Sequence, residues 1–241
     1  MVPRPSRTFE ILGQRFPVAS SLLVAAVFAG SLVGANIPGL AALIVLQPTL
    51  VLAGQAWRLL TWPLVAGDAL GLIFACLVLM WLGRDLCYAW GAQRYLLVGT
   101  GLAAATGAVV TLLGLLFGPV ARSFFLGPWA LVDALIVAWA ILFPYRQVLV
   151  MFVLPLGGRQ LIWGTVAVTA VFGLMGGAAG LLSVLPHFVA MGLAALYMRG
   201  RSLETLWLRA RYWFLSLRLG RRRSRFKVVE GRDHEPPRWV H

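Results

Sequence analysis

Side chains able to do chemistry are scarce in most of this 241-residue chain. Residues 1–198 hold four acids, Glu10, Asp68, Asp85 and Asp133, and one histidine, His187. Asp133 stands in an apolar stretch whose nearest charges are Arg122 and Arg146. A carboxylate inside a membrane helix is costly and marks a candidate functional site whose partner should be named. His187 is the one candidate inside the bundle, so the two are expected to touch across their helices. At about 4 Å and an effective dielectric near 20, two opposite charges attract by roughly 4 kcal/mol before desolvation. Such a pair could hold or pass a proton. The alternative is a protonated Asp133 bonded to a backbone carbonyl or a water. Trp129, four residues before Asp133, shares its helix face.

Other reactive groups carry less. Cys76 and Cys87 are eleven residues apart, about 16 Å along a helix, too far to bridge, and are read as packing residues. His234 and His241 are isolated, so no metal and no cofactor is expected. Asp68 is read as the N-cap of a helix.

The elements that must position these residues follow from composition. The chain is 60% hydrophobic and 12% charged, with a mean hydropathy of +0.85. A soluble domain carries about 25% charge, and disordered chains are polar, so both classes are excluded. An all-α membrane protein is expected, with six helices at about 18–36, 68–84, 95–117, 127–143, 160–177 and 183–199. Gly173, Gly176, Gly177 and Gly180 mark the turn between the last two. The first apolar run, with Ala29–Ser31 inside it, is read as a span rather than a cleaved leader. The expected organisation is a basic N-terminus (1–17), a membrane domain (18–200), an amphipathic surface helix (201–220) and a basic, disordered tail (221–241).

Of the 21 lysines and arginines, all but Arg58 and Arg122 fall on one side if the N-terminus is cytoplasmic. The positive-inside rule then places both termini in the cytoplasm. The connection from Asn36 to Gly67 is long, apolar and broken by Pro38, Pro48 and Pro63. It is expected to lie in the outer leaflet or re-enter beside the bundle, with Trp57 and Arg58 suited to the interface. The Val148–Leu156 run is too short to span and is placed on the cytoplasmic surface. In the tail, Leu203, Leu206, Trp207, Ala210, Trp213, Phe214 and Leu217 form one helix face. Arg221, Arg222, Arg223, Arg225 and Lys227 fit anionic lipid headgroups better than nucleic acid, because they follow a span directly.

The order of motifs resembles the rhomboid intramembrane serine protease family. The resemblance rests on Trp57-Arg58-Leu59-Leu60-Thr61-Trp62-Pro63 in the first loop and on Phe74–Leu86 in the second helix. Ala140–Val148 at the end of the fourth helix and Pro186–Ala194 in the sixth complete it. The likeness implies a six-helix bundle with a long membrane-associated first loop. It also implies a Gly-x-Ser-Gly nucleophile on helix four, a histidine base on helix six, and a His and an Asn on helix two around the oxyanion. Here the nucleophile segment reads Gly127-Pro128-Trp129-Ala130, placing Trp129 at the serine position. The helix-two positions fall at Gly71 and Ala75, and a further upstream histidine position at Ala66. His187 alone remains. Neither Ser123 nor Ser183 is placed to substitute. A hydroxyl without its base, or a base without a hydroxyl, does not make an acyl-enzyme, and an oxyanion needs donors in advance. Ala190 and Ala194 keep a small-residue packing face where active members prefer glycine.

The chain therefore resembles an inactive rhomboid homologue, of the kind that includes the derlins. That implies binding or regulating other transmembrane proteins through the bundle, with the lipid bilayer, anionic headgroups and client spans as partners. Two alternatives are an intramembrane serine endopeptidase with an unrecognised arrangement, and a transporter or proton conductor using Asp133 and His187. The tail's Pro236-Pro237-Arg238-Trp239 resembles bacterial rhomboid tails, so a multi-pass protein of the bacterial inner membrane is expected.

Overall fold

Long apolar runs with polar residues only at their ends can satisfy their backbone in lipid only as helices, and helices are what the runs form. The computed structural model describes residues 8–11, 14–37, 39–150 and 154–200. The surface helix expected at 201–220, the basic run Arg221–Lys227 and the tail lie outside the described residues.

The chain opens with a hairpin, β1 (Thr8–Ile11) against β2 (Gln14–Pro17), which leads into α1 (Val18–Asn36). Three short helices and a 3₁₀ turn make up the first loop: α2 (Leu40–Ile44), α3 (Pro48–Leu52), α4 (Arg58–Thr61) and Trp62–Leu64. Then follow α5 (Ala69–Trp90), α6 (Ala92–Leu116), the short α7 (Gly118–Arg122) and α8 (Trp129–Leu142). A second hairpin, β3 (Gln147–Val150) with β4 (Leu154–Gly157), joins α8 to α9 (Gly158–Met175). The last span bends once, between α10 (Gly177–Ser183) and a helix at 185–200, here α11.

Four helices are long and apolar enough to cross a bilayer: Val18–Asn36, Ala69–Trp90, Ala92–Leu116 and Gly177–Gly200. With α8 and α9 the described residues hold six apolar helical segments in the expected order, so the protein is an all-α membrane protein. Several details differ from expectation. The N-terminal segment carries a hairpin, and the second helix runs on to Trp90 rather than ending near 84. Within the Val148–Leu156 run and its flanks, Gln147–Val150 pairs antiparallel with Leu154–Gly157, because two short strands too brief to span satisfy each other's backbone groups. The fourth helix is only 14 residues, about 21 Å, against a hydrocarbon core of about 30 Å. Its shortness is tolerable because it is the central helix, with ten of its residues buried.

Close packing sets α8 in place. A Cβ on Gly158 would lie 2.6 Å from the Ala140 carbonyl oxygen, so only glycine lets α9 start against the end of α8. At the other end α8 begins sharply, since Gly127 takes φ +109°, a conformation open to glycine, and Pro128 follows as the N-cap residue.

Candidate functional site

The first loop is built around one buried cation. Arg58 is 2% exposed. Its Nη1 donates to the carbonyls of Ala42 (2.7 Å) and Val45 (2.6 Å), and its Nε to Gln55 Oε1 (2.6 Å). Trp57 Nε1 donates to the Leu43 carbonyl at 3.2 Å, and Thr61 Oγ1 to that of Ile44 at 3.1 Å. The carbonyls left open by the end of α2 are thus taken in turn by Arg58, Trp57, Thr61 and Arg58 again. A cation at a helix C-terminus also matches its dipole. Trp57 and Arg58, read from sequence as interfacial, are therefore a side-chain cap that folds the loop.

The loop in turn holds the approach to α8. Leu46 and Phe125 exchange two backbone hydrogen bonds of 2.9 Å, and the Gly127 amide donates to the Trp62 carbonyl at 3.2 Å. Trp62, 1% exposed, donates its Nε1 to the Ala103 carbonyl of α6 at 3.3 Å. On the α1 side, Ser31 Oγ donates to the carbonyls of Val27 (2.8 Å) and Leu64 (3.1 Å) and accepts from the Ala66 amide (2.9 Å). This clasp was not read from the sequence, where a serine in an apolar run looks like a small packing residue.

The segment so held places Trp129 in the first turn of α8 and Asp133 one turn further in. Asp133 is 5% exposed, and its Oδ2 lies 2.7 Å from Nδ1 of His187, in the first turn of α11. That distance is within hydrogen-bond range, with the tautomer of the imidazole setting which group donates. His187 is less enclosed than its partner, with a quarter of its side chain accessible against 8% for Asp133. Ala190 and Ala194, on the same helix, are 2% and 0% exposed and pack into the core.

The second-helix positions offer no side-chain donor. Ala75 is fully buried. Gly71 sits in the first turn of α5, where Asp68 caps the helix by accepting from the Gly71 amide. A Cβ on Gly71 would lie 2.7 Å from Asp68 Oδ2, so this N-cap is built around glycine. Among the described residues no hydroxyl is bonded to His187. Ser123 and Ser183 donate to carbonyls of their own turns, those of Pro119 and Gly180 (2.8 Å each). Cys76 and Cys87 are free thiols. Ala66 lies beside the Ser31 clasp. The site is a carboxylate–imidazole pair with a bulky indole on the same helix face, able to hold a proton, and among the described residues no serine or threonine hydroxyl or cysteine thiol is bonded to it.

Sequence reasoning also missed a polar joint at the other end of α8. There Asp85 accepts from Trp139 Nε1 (3.1 Å) and Arg146 Nη1 (2.7 Å). The signal was an acid and two arginines, Arg84 and Arg146, each at the end of an apolar run.

A family model described as "Eukaryotic integral membrane protein (DUF1751)" matches residues 21–199, the greater part of the chain. No curated protein matches it. The family's description overturns the expectation of a bacterial inner-membrane protein. That expectation rested on a proline- and arginine-rich tail, a compositional likeness with no geometry of its own. The multi-pass membrane placement stands.

Proposed function

The chain belongs to this family of integral membrane proteins, and from that premise we propose that it is a rhomboid-like protein without protease chemistry, which binds or regulates other transmembrane proteins through its bundle. One observation carries the reading: at the positions where the resemblance requires nucleophile, base and oxyanion donors, Trp129 and the Asp133–His187 pair stand with no hydroxyl on the imidazole. A base with nothing to activate does not form an acyl-enzyme. Gly71 and Ala75 cannot supply side-chain hydrogen bonds to a developing oxyanion. The light packing of α9, with three of its 18 residues buried, supports lateral approach of a second span on that side.

The test is an intramembrane cleavage assay with a generic rhomboid substrate. The wild-type chain is expected to yield no product. A variant carrying Trp129→Ser, Ala130→Gly, Gly71→His and Ala75→Asn restores the side chains, with Asp68 turning aside to admit the new Cβ at position 71. Cleavage by the wild type would overturn the reading in favour of an endopeptidase. Photo-crosslinkers on the outward faces of α5 and α9, at Leu77 and Phe172, should capture transmembrane segments. No capture above background would count against client binding.

A further inference from the structure

The polar joint at the far end of α8 has a shape the proposed client binding does not use. Asp85 Oδ2 holds Arg146 Nη1 at 2.7 Å and Trp139 Nε1 at 3.1 Å, and Arg84 Nε lies 3.8 Å from Oδ1. The Arg146 guanidinium also lies over the Phe143 ring, 5.4 Å from its centroid. It is thus fixed on two sides while its side chain stays 57% exposed. A guanidinium carries five N–H donors, and among the described residues only those on Nη1 have a protein acceptor. Arg146 also lines a cavity of about 320 Å³, together with Asp85, Tyr88, Ala89 and Phe143.

The depth and surroundings of this cavity specify its occupant. Arg84 and Asp85 are the first charges after the uncharged run Ala69–Gly83 of α5, and charged side chains in a span keep to its ends, where they reach the headgroup level. Arg94 and Arg159, at the starts of α6 and α9, lie in chain segments at the same end, so positive charge prevails there. Phe74, Leu77, Trp81 and Tyr88 are all exposed on α5 and recur at helical spacing, forming one outward stripe that ends beside Asp85. An apolar stripe leading up to a fixed, half-open guanidinium has the outline of a phospholipid: chains below, phosphate above. Arginine binds phosphate through two parallel N–H donors. We propose that this cavity binds the phosphate of an anionic phospholipid, with Arg146 as the ligating residue and Asp85 and Phe143 as its positioning residues. Asp85 and Arg146 are the charged residues lining the cavity, and Arg84 lies 3.8 Å from the same carboxylate.

The experiment heats the full chain in dodecyl maltoside with dioleoyl phosphatidylglycerol, dioleoyl phosphatidylcholine, dioleoylglycerol or inorganic phosphate. Phosphatidylglycerol is expected to raise the unfolding midpoint most, phosphatidylcholine less, and the other two not at all. Arg146→Gln should weaken the phosphatidylglycerol response about fivefold. Arg146→Lys, which keeps the charge and loses the fork, should fall between. Arg122→Gln, at the other end of the bundle, should behave as wild type. Should Arg146→Gln fail to fold, the wild type still decides: a headgroup-photoactivatable phosphatidylglycerol should label peptides containing 85–89 and 143–146. Equal stabilisation by all lipids, stabilisation by inorganic phosphate alone, or labelling spread evenly over the arginine-bearing end would overturn the proposal.

Discussion

Arg58 and Asp133 are both buried, at 2% and 5% exposure, yet they are held in opposite ways. Arg58 sits in a loop and spends its guanidinium on two carbonyls and an amide oxygen, all within 16 residues of itself. Every acceptor it serves would otherwise be an open backbone or side-chain oxygen in an apolar setting. Asp133 sits in the middle of the bundle and is met by a single side chain from a helix 54 residues away, itself part-open to the surroundings. The first arrangement is one the loop cannot fold without. The second is a side-chain pair between α8 and α11, of a kind that apolar side chains can often replace at little cost. Whether the bundle requires the pair is therefore a question of stability that substitution can answer.

The contrast makes its largest prediction at Arg58. Arg58→Met should cost about 3–5 kcal/mol, because three oxygens each lose a donor and a buried unpaired acceptor costs about 1–3 kcal/mol. Unfolding in sodium dodecyl sulfate followed by circular dichroism measures it. A cost below about 1 kcal/mol would mean that the loop is held by its apolar contacts alone. The change should leave the Asp133–His187 hydrogen bond intact, readable as an unchanged imidazole proton resonance.

At the pair itself the two single substitutions should differ. His187→Ala leaves Asp133, the deeper member, without a partner and should cost about 2–3 kcal/mol. Asp133→Ala leaves only a part-open imidazole and should cost about 1 kcal/mol by the same reasoning. Equal costs would mean that the carboxylate has a second partner. Smaller again is Trp57→Phe, which removes one 3.2 Å hydrogen bond to the Leu43 carbonyl from a half-exposed ring. About 0.5–1 kcal/mol is expected, with Arg58 still capping α2.

How much of this was legible depends on how far each interaction reaches. The helices could be placed because charge is almost absent between Arg15 and Arg58, Arg94 and Arg122, and Arg159 and Arg199, a signal local in sequence. Asp68 as a cap is local too. Asp133 and His187 stand out by scarcity, each the lone titratable group of its stretch. What composition cannot carry is long-range pairing among common types. Nothing near Asp85 points to Trp139, and nothing near Ser31 points to Leu64. The Trp57-Arg58 pair was noticed, but its acceptors are backbone carbonyls, which have no signature in the sequence. The hairpins were missed because four-residue strands look like loop fragments until their partner strand is found. The tail's likeness to bacterial proteins misled because composition was its whole content.

The smallest expected effect is the sharpest test of the comparison. Replacing both members, Asp133→Leu with His187→Leu, removes the hydrogen bond and the desolvation cost of two polar groups together. If the pair serves function rather than folding, the double variant should lie within about 1 kcal/mol of wild type and be more stable than His187→Ala. With the single variants Asp133→Leu and His187→Leu the cycle closes, and its coupling term reports the pair itself; hydrogen bonds between membrane helices give about 0.6 kcal/mol on average and at most about 1.7. No equivalent double change exists for Arg58, because its partners are backbone oxygens that cannot be mutated away. If the double variant loses as much stability as Arg58→Met, Asp133 and His187 are as structural as the loop cap, and the pair holds the bundle together. If it stays folded while crosslinking from Phe172 to neighbouring spans is lost, the pair is part of the binding surface and the two buried charges divide the work as their geometry suggests.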